Sequence, residues 1–175
     1  MSHDDIDPAA ADALVSEHYD ALKRIARAKR RGSRSGHAML TTDLLHETWL
    51  KLRRQTDWRD EAHFFRTCAL AMRQVIVDAA RRELRVKRGG QSPHLDYDDW
   101  RDVLPDFSET PEQIVRIGEV IDAMQRDAPE LVDIINLRYF GGFTEAEVAH
   151  TLSLSARTVR RKWTLARAYL ASALE

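Results

Sequence analysis

Arg157, Arg160 and Arg161 lie close together in the segment ARTVRRKWTLARAYL. The apolar residues Val159, Trp163, Ala166 and Leu170 recur among them at spacings of four, three and four. On an α-helix this places the apolar side chains on one buried face and leaves Arg157, Arg160, Arg161 and Thr164 on another. An arginine fork matches phosphate oxygens, and two of its parallel N–H groups match the O6 and N7 acceptors of guanine. The chemistry available is therefore recognition of nucleic acid, with no bond made or broken. A solvated basic face on a helical corner is the competing reading of the same residues.

The elements before the arginines favour recognition. Thr144 and Glu147, three residues apart, form a capping box that starts a short helix. Val148, Ala149 and Leu152 point inward from it. Ser153-Leu154-Ser155 makes the turn, with Ser153 where glycine is common, and Ser155 caps the next helix. A helix-turn-helix of this form presents its second helix to a major groove. Ser155 and Thr158, in its first turn, join Arg157, Arg160, Arg161 and Thr164 as candidate DNA contacts.

The net charge of −1 hides two opposed blocks. Residues 20–90 carry net +10 and residues 91–129 carry net −7. A strongly basic block is the footprint of a phosphate partner. Cys68 is the single cysteine, which excludes an intrachain disulfide and fits a reducing cytoplasm. The acidic first residues lack an apolar run, so no signal peptide is expected. No apolar stretch approaches the roughly 20 residues of a membrane span.

Strand signals are nearly absent, and the expected fold is all-α. A first helix is expected over about Pro8–Arg31, with Leu14, Leu22, Ile25 and Ala26 inward. A second is expected over about Thr42–Gln55, with Leu44, Leu45, Thr48, Trp49 and Leu52 on one side. A third runs from about Glu61 to Lys87, with Phe64, Phe65, Cys68, Met72, Val75, Ile76 and Ala79 as its core face. It ends in a basic run, Arg81 to Arg88, before Gly89-Gly90. Residues 91–109 are acidic and lack core-forming periodicity, which marks a linker. Thr110-Pro111-Glu112-Gln113 restarts a helix with a capping box and a first-turn proline. Another helix, about Ala128–Phe140, leads into the helix-turn-helix. The organisation is two small helical domains, 9–90 and 110–174, joined by an acidic linker, 91–109.

Three strings in this order and spacing, DLLHETWLKL, HFFRTCALAMRQVIVDAARRELRVKRGG and LRYFGGFTEAEVAHTLSLSARTVRRKWTLARAYL, resemble bacterial RNA polymerase sigma factors of the extracytoplasmic-function (ECF) class, specifically an ECF-like subfamily. The resemblance covers nearly all of residues 9–174. It implies that 9–90 is a sigma-two domain, which docks on the β′ clamp helices of core RNA polymerase and recognises and melts the minus-ten element. DLLHETWLKL then supplies the polymerase contacts Asp43, His46, Glu47, Leu50 and Lys51. The loop 55–60 sits where the family captures a flipped base. Trp58 is its stacking candidate, as an unstacked base needs a planar partner, with core packing the alternative. Arg59, Arg81, Arg82, Arg85, Lys87 and Arg88 are the first domain's DNA candidates. Residues 110–174 are implied to be a sigma-four domain that reads the minus-thirty-five duplex and touches the β flap. The implied partners are core polymerase and promoter DNA, and an anti-sigma factor stays open.

No other chemistry is evident in the chain. His46 and Glu47 are adjacent, but Leu50 occupies the position of the second histidine of HExxH, so no metal site is expected. No cofactor is expected either. No nucleophile–base set or rigid carboxylate cluster supports an enzyme. A stand-alone helix-turn-helix regulator is the alternative function. Three readings of the acidic linker remain open: solubility, mimicry of nucleic acid, and a fold-back onto the basic block.

Overall fold

The computed structural model describes residues 38–52, 59–89 and 110–174, with the side chains of 38–44 and 86–89 excepted. The expected first helix, the residues from Arg53 to Trp58 and the acidic segment 91–109 lie outside the described residues. The described chain is helical, with no strand among the described residues. The elements are α1 (Ala38–Leu52), α2 (Glu61–Gly89), α3 (Pro111–Asp127), α4 (Pro129–Ile135), a π turn (Asn136–Phe140), α5 (Glu145–Thr151) and α6 (Ala156–Leu174).

Local chemistry sets most of the helix starts. The Asp60 carboxylate accepts the His63 N–H at 2.7 Å and begins α2. Thr110 and Gln113 exchange hydrogen bonds of 3.3 and 2.8 Å at the head of α3, and Pro111 occupies its first turn. Pro129 likewise sits in the first turn of α4. Where one regular helix was expected to reach Phe140, α4 passes into a π turn that closes with Gly141 N–H donating to Asn136 O at 2.8 Å. The wider turn helps bury Leu137, Tyr139 and Phe140 together.

α2 is the organising element. It packs on α1 and also on α3, the π turn and α5, so the helices on both sides of residues 90–109 lie on one another. Its first half, with Phe64, Phe65, Cys68, Ala69, Ala71 and Met72, shares a core with Leu52, Ile134, Leu137, Phe143, Val148 and Val159. Its second half, with Val75, Ile76, Val77 and Ala80, meets Ile114, Ile117, Ile121 and Met124 of α3, and Tyr139, Phe140, Ala166 and Leu170 beyond. Each large side chain fully buried in this way contributes about 1.5–3 kcal/mol. A helix covered on two sides needs a wider apolar surface than one stripe. This explains why Val77 and Ala80 are buried while Ala79, expected inward, is only partly buried.

Polar contacts join the same elements. Arg73 of α2 is buried and donates to Asp122 of α3 at 2.9 Å. Burial pushes the Arg73 pKa below its ordinary value, while the Asp122 charge opposes that shift. Arg66 and Asp133 approach to 3.7 Å between α2 and α4. Burial raises the pKa of the Asp133 carboxyl, and Arg66 works against it.

Candidate nucleic-acid interface

The candidate interface is built on α5, the turn and α6. The Thr144 side chain accepts the Glu147 N–H at 3.2 Å, and the Glu147 carboxylate accepts the Thr144 N–H at 2.7 Å. This box fixes the start of a helix of only seven residues. Ser153 takes φ 52°, the left-handed conformation that reverses the chain. Ser155 then starts α6: its hydroxyl accepts the Thr158 N–H at 3.1 Å and its carbonyl accepts the Val159 N–H at 3.0 Å. Val148 and Val159 are fully buried at the corner between the helices. Ala166 and Leu170 bury the rest of the inner face of α6, and Trp163 is partly buried.

The opposite face carries the predicted contacts. Ser155, Arg157, Arg160, Arg161 and Thr164 are exposed, and Thr158 is half-buried. The Ser155 and Thr158 hydroxyls lie 2.8 Å apart. Thr164 donates its hydroxyl to the Arg160 carbonyl at 3.0 Å, which ties it to its own helix. Arg160 is held by a carboxylate that sequence reading missed. Its Nε and Nη2 donate to the two oxygens of Glu145 at 3.2 and 2.8 Å. Lys162 pairs with Glu130 of α4. Arg138 of the π turn places its guanidinium 5.6 Å from the Trp163 ring centroid and donates to the Phe143 carbonyl at 3.0 Å. It thereby pins the approach to α5 against α6.

The first-domain candidates divide differently. On α1, His46 stacks on Trp49 at 5.9 Å, and His46, Glu47 and Leu50 are exposed. Lys51 turns toward α2, 3.5 Å from Asp78 and 3.3 Å from Gln74. Trp49 packs partly against the core, as expected. At the far end of α2, Arg81 approaches Asp78 at 3.7 Å, Arg82 Nε donates to the Asp78 carbonyl at 3.3 Å, and Arg85 is exposed. Arg59 is exposed beside the start of α2, its backbone N–H donating to His63 Nδ1 at 3.4 Å. Trp58 lies outside the described residues, as do the side chains of Asp43, Lys87 and Arg88.

Among the described residues no group of three or more His, Cys, Asp or Glu converges on a metal-sized site. No helix there is long and apolar enough to cross a membrane. Cys68 is buried, and burial pushes its thiol pKa far above the ordinary range. The thiol is therefore protonated packing rather than a nucleophile.

Compared with known proteins, the chain matches the family model of the ECF sigma factors over residues 2–175. It belongs to that family, whose members are DNA-binding regulators that serve RNA polymerase in transcription initiation. No curated protein and no solved structure matches it.

Proposed function

We propose that this sigma factor binds core RNA polymerase, carries it to promoters and opens the start site, gripping the DNA at two points. In this reading residues 9–90 form the sigma-two module, 91–109 the acidic linker and 110–174 the sigma-four module. The exposed face of α1 with His46, Glu47 and Leu50, together with Asp43 and Lys51, docks on the β′ clamp helices. Trp58 stacks a flipped base, a trade worth a few kcal/mol against the lost base stacking. Arg59, Arg81, Arg82, Arg85, Lys87 and Arg88 follow the phosphates beside it. α6 reads the minus-thirty-five duplex through Ser155, Arg157, Thr158, Arg160, Arg161 and Thr164, each good bidentate base contact adding roughly 1–3 kcal/mol. The sigma-four module also touches the β flap. The protein performs no covalent chemistry, and it works in the cytoplasm, where its polymerase is. An anti-sigma factor is a further partner this reading accommodates.

The observation that carries the proposal is the corner itself. Val148 and Val159 lock α5 to α6 in the core, while Arg157, Arg160 and Arg161 face outward on one side. The test is DNA binding with and without core enzyme. Promoter duplexes selected by the polymerase–sigma complex are titrated with free protein, and then with protein plus core. The proposal expects weak, poorly selective binding by free protein and tight, selective binding with core. Substituting Leu50→Asp should abolish the gain from core while leaving the fold intact. Tight sequence-specific binding by free protein, unchanged by core, refutes the proposal and establishes a stand-alone regulator.

A further inference from the structure

We propose that Glu145 is a positioning residue for promoter reading, which orients Arg160 toward a base edge and away from the phosphates. The inference rests on the reading of α6 as the promoter-reading helix. It starts from a guanidinium on that face that a carboxylate holds. Arg160 engages both Glu145 oxygens through Nε and Nη2, at 3.2 and 2.8 Å, across the turn that separates α5 from α6. Arg157 and Arg161 make no ion pair or side-chain hydrogen bond among the described residues.

The geometry assigns the edges of the fork. A guanidinium has five N–H donors. Glu145 takes the edge formed by Nε and one hydrogen of Nη2. The outer edge, with Nη1 and the second hydrogen of Nη2, keeps the parallel donor pair that matches guanine O6 and N7. That edge is open, since the Arg160 side chain is 71 % exposed, whereas Glu145 is only 28 % exposed. Glu145 is itself well anchored. It is the first residue of α5, directly after the N-cap Thr144, and the buried Val148–Val159 corner fixes the two helices against each other.

Charge separates the two kinds of target. Phosphate binding draws its strength from unneutralised cations that displace counterions. A carboxylate already paired with Arg160 weakens that attraction, while leaving the outer N–H pair free to donate to a neutral base. Pairing also restricts the rotamers of a long side chain before DNA arrives, so less freedom is lost on docking. Arg157 and Arg161 keep their full charge and freedom, and they are the phosphate clamps. Arg160 is the base reader, and Glu145 sets its aim.

The test uses the full-length chain with core polymerase and a promoter library randomised in its upstream duplex element. Each promoter variant carries its own tag downstream of the start site, and initiation is scored by sequencing the tags in the transcripts. Arg160→Ala should erase a G·C preference at one base-pair position. Glu145→Gln should lower that same preference about tenfold, equivalent to ~1.4 kcal/mol, and leave other positions unchanged. The double variant should match Arg160→Ala alone. Free of its carboxylate, Arg160 should also reach phosphate, so the salt slope of binding should steepen by up to about 0.9 in Glu145→Gln. A purely structural role would lower the unfolding midpoint without moving either readout. Glu145→Asp keeps the charge but shortens the reach, and it provides the same test if the Gln variant folds poorly. If Arg160→Ala flattens a position that both Glu145 variants leave sharp, the positioning role is wrong. If Arg160→Ala flattens no position, the assignment of α6 falls, and the inference with it.

Discussion

The crossing of α2 and α3 can be tested at Gly118. A Cβ added there would sit 3.0 Å from Val77 Cγ2 and 3.3 Å from Val77 Cγ1. Two effects compete in Gly118→Ala. Inside a helix, alanine is favoured over glycine by about 1 kcal/mol. Overpacking a filled core costs about 1–3 kcal/mol. Val77 is buried and β-branched, so it has little freedom to swing away. Overpacking should therefore win, for a net loss of about 1 kcal/mol, or roughly 2–4 °C in Tm for a chain of this size. Val77→Ala alone removes two methyl groups, about 1.5 kcal/mol of transfer free energy. In that background the added methyl has room, and Gly118→Ala should stabilise by about 1 kcal/mol as helix propensity reasserts itself. The reversal of sign amounts to a coupling of about 2 kcal/mol, well above the few tenths expected of unconnected sites. Thermal and urea unfolding of the four proteins, followed by circular dichroism, measures it. The same effect of Gly118→Ala in both backgrounds would show that α3 does not lie on α2 at this point.

Further outcomes follow from the same packing. Gly141→Ala should destabilise by about 1–3 kcal/mol, because its Cβ would meet the Leu137 carbonyl at 2.8 Å and the Phe143 ring at 2.7 Å. Phe143 stacks edge-on against Phe65 at 5.4 Å, so the loss should appear in urea unfolding together with altered near-ultraviolet dichroism. The Cys68 thiol should resist alkylation by iodoacetamide at pH 8 in the folded protein and react at once in urea, since burial keeps it protonated. Its folded pKa is raised above the unfolded value of about 8.5. Its contribution to stability is therefore fully present below that pH and is lost as pH rises toward the folded value. Cys68→Ala should remove that alkaline slope from a pH series of unfolding curves.

What the sequence reveals of this molecule is mainly what neighbouring residues decide. Both capping boxes, the Ser155 cap, the turn at Ser153 and the inner face Val159–Trp163–Ala166–Leu170 depend on residues one to four apart, and the structure has each of them, with Trp163 only partly buried. The outward display of Arg157, Arg160 and Arg161 follows from the same periodicity. The features that escaped reading depend on distant partners. Nothing local to Asp122 or Arg73 signals that they meet across 49 residues. Glu145 reads as an ordinary first-turn acid, favourable at a helix start, and its grip on Arg160 exists only once the turn has folded. The second covered side of α2 was hidden because Val77 and Ala80 break the single stripe that periodicity looks for. The π turn leaves the apolar spacing of residues 136–140 looking like an ordinary helix.

Run-off transcription shows whether this chain directs RNA polymerase to promoters. Core polymerase is incubated with genomic DNA fragments, with the full-length protein, without it, and with its Arg160→Ala variant. Discrete transcripts should appear only with the protein, start at shared sequence elements, and weaken selectively with Arg160→Ala at those promoters. Transcripts identical with and without the protein would contradict that role.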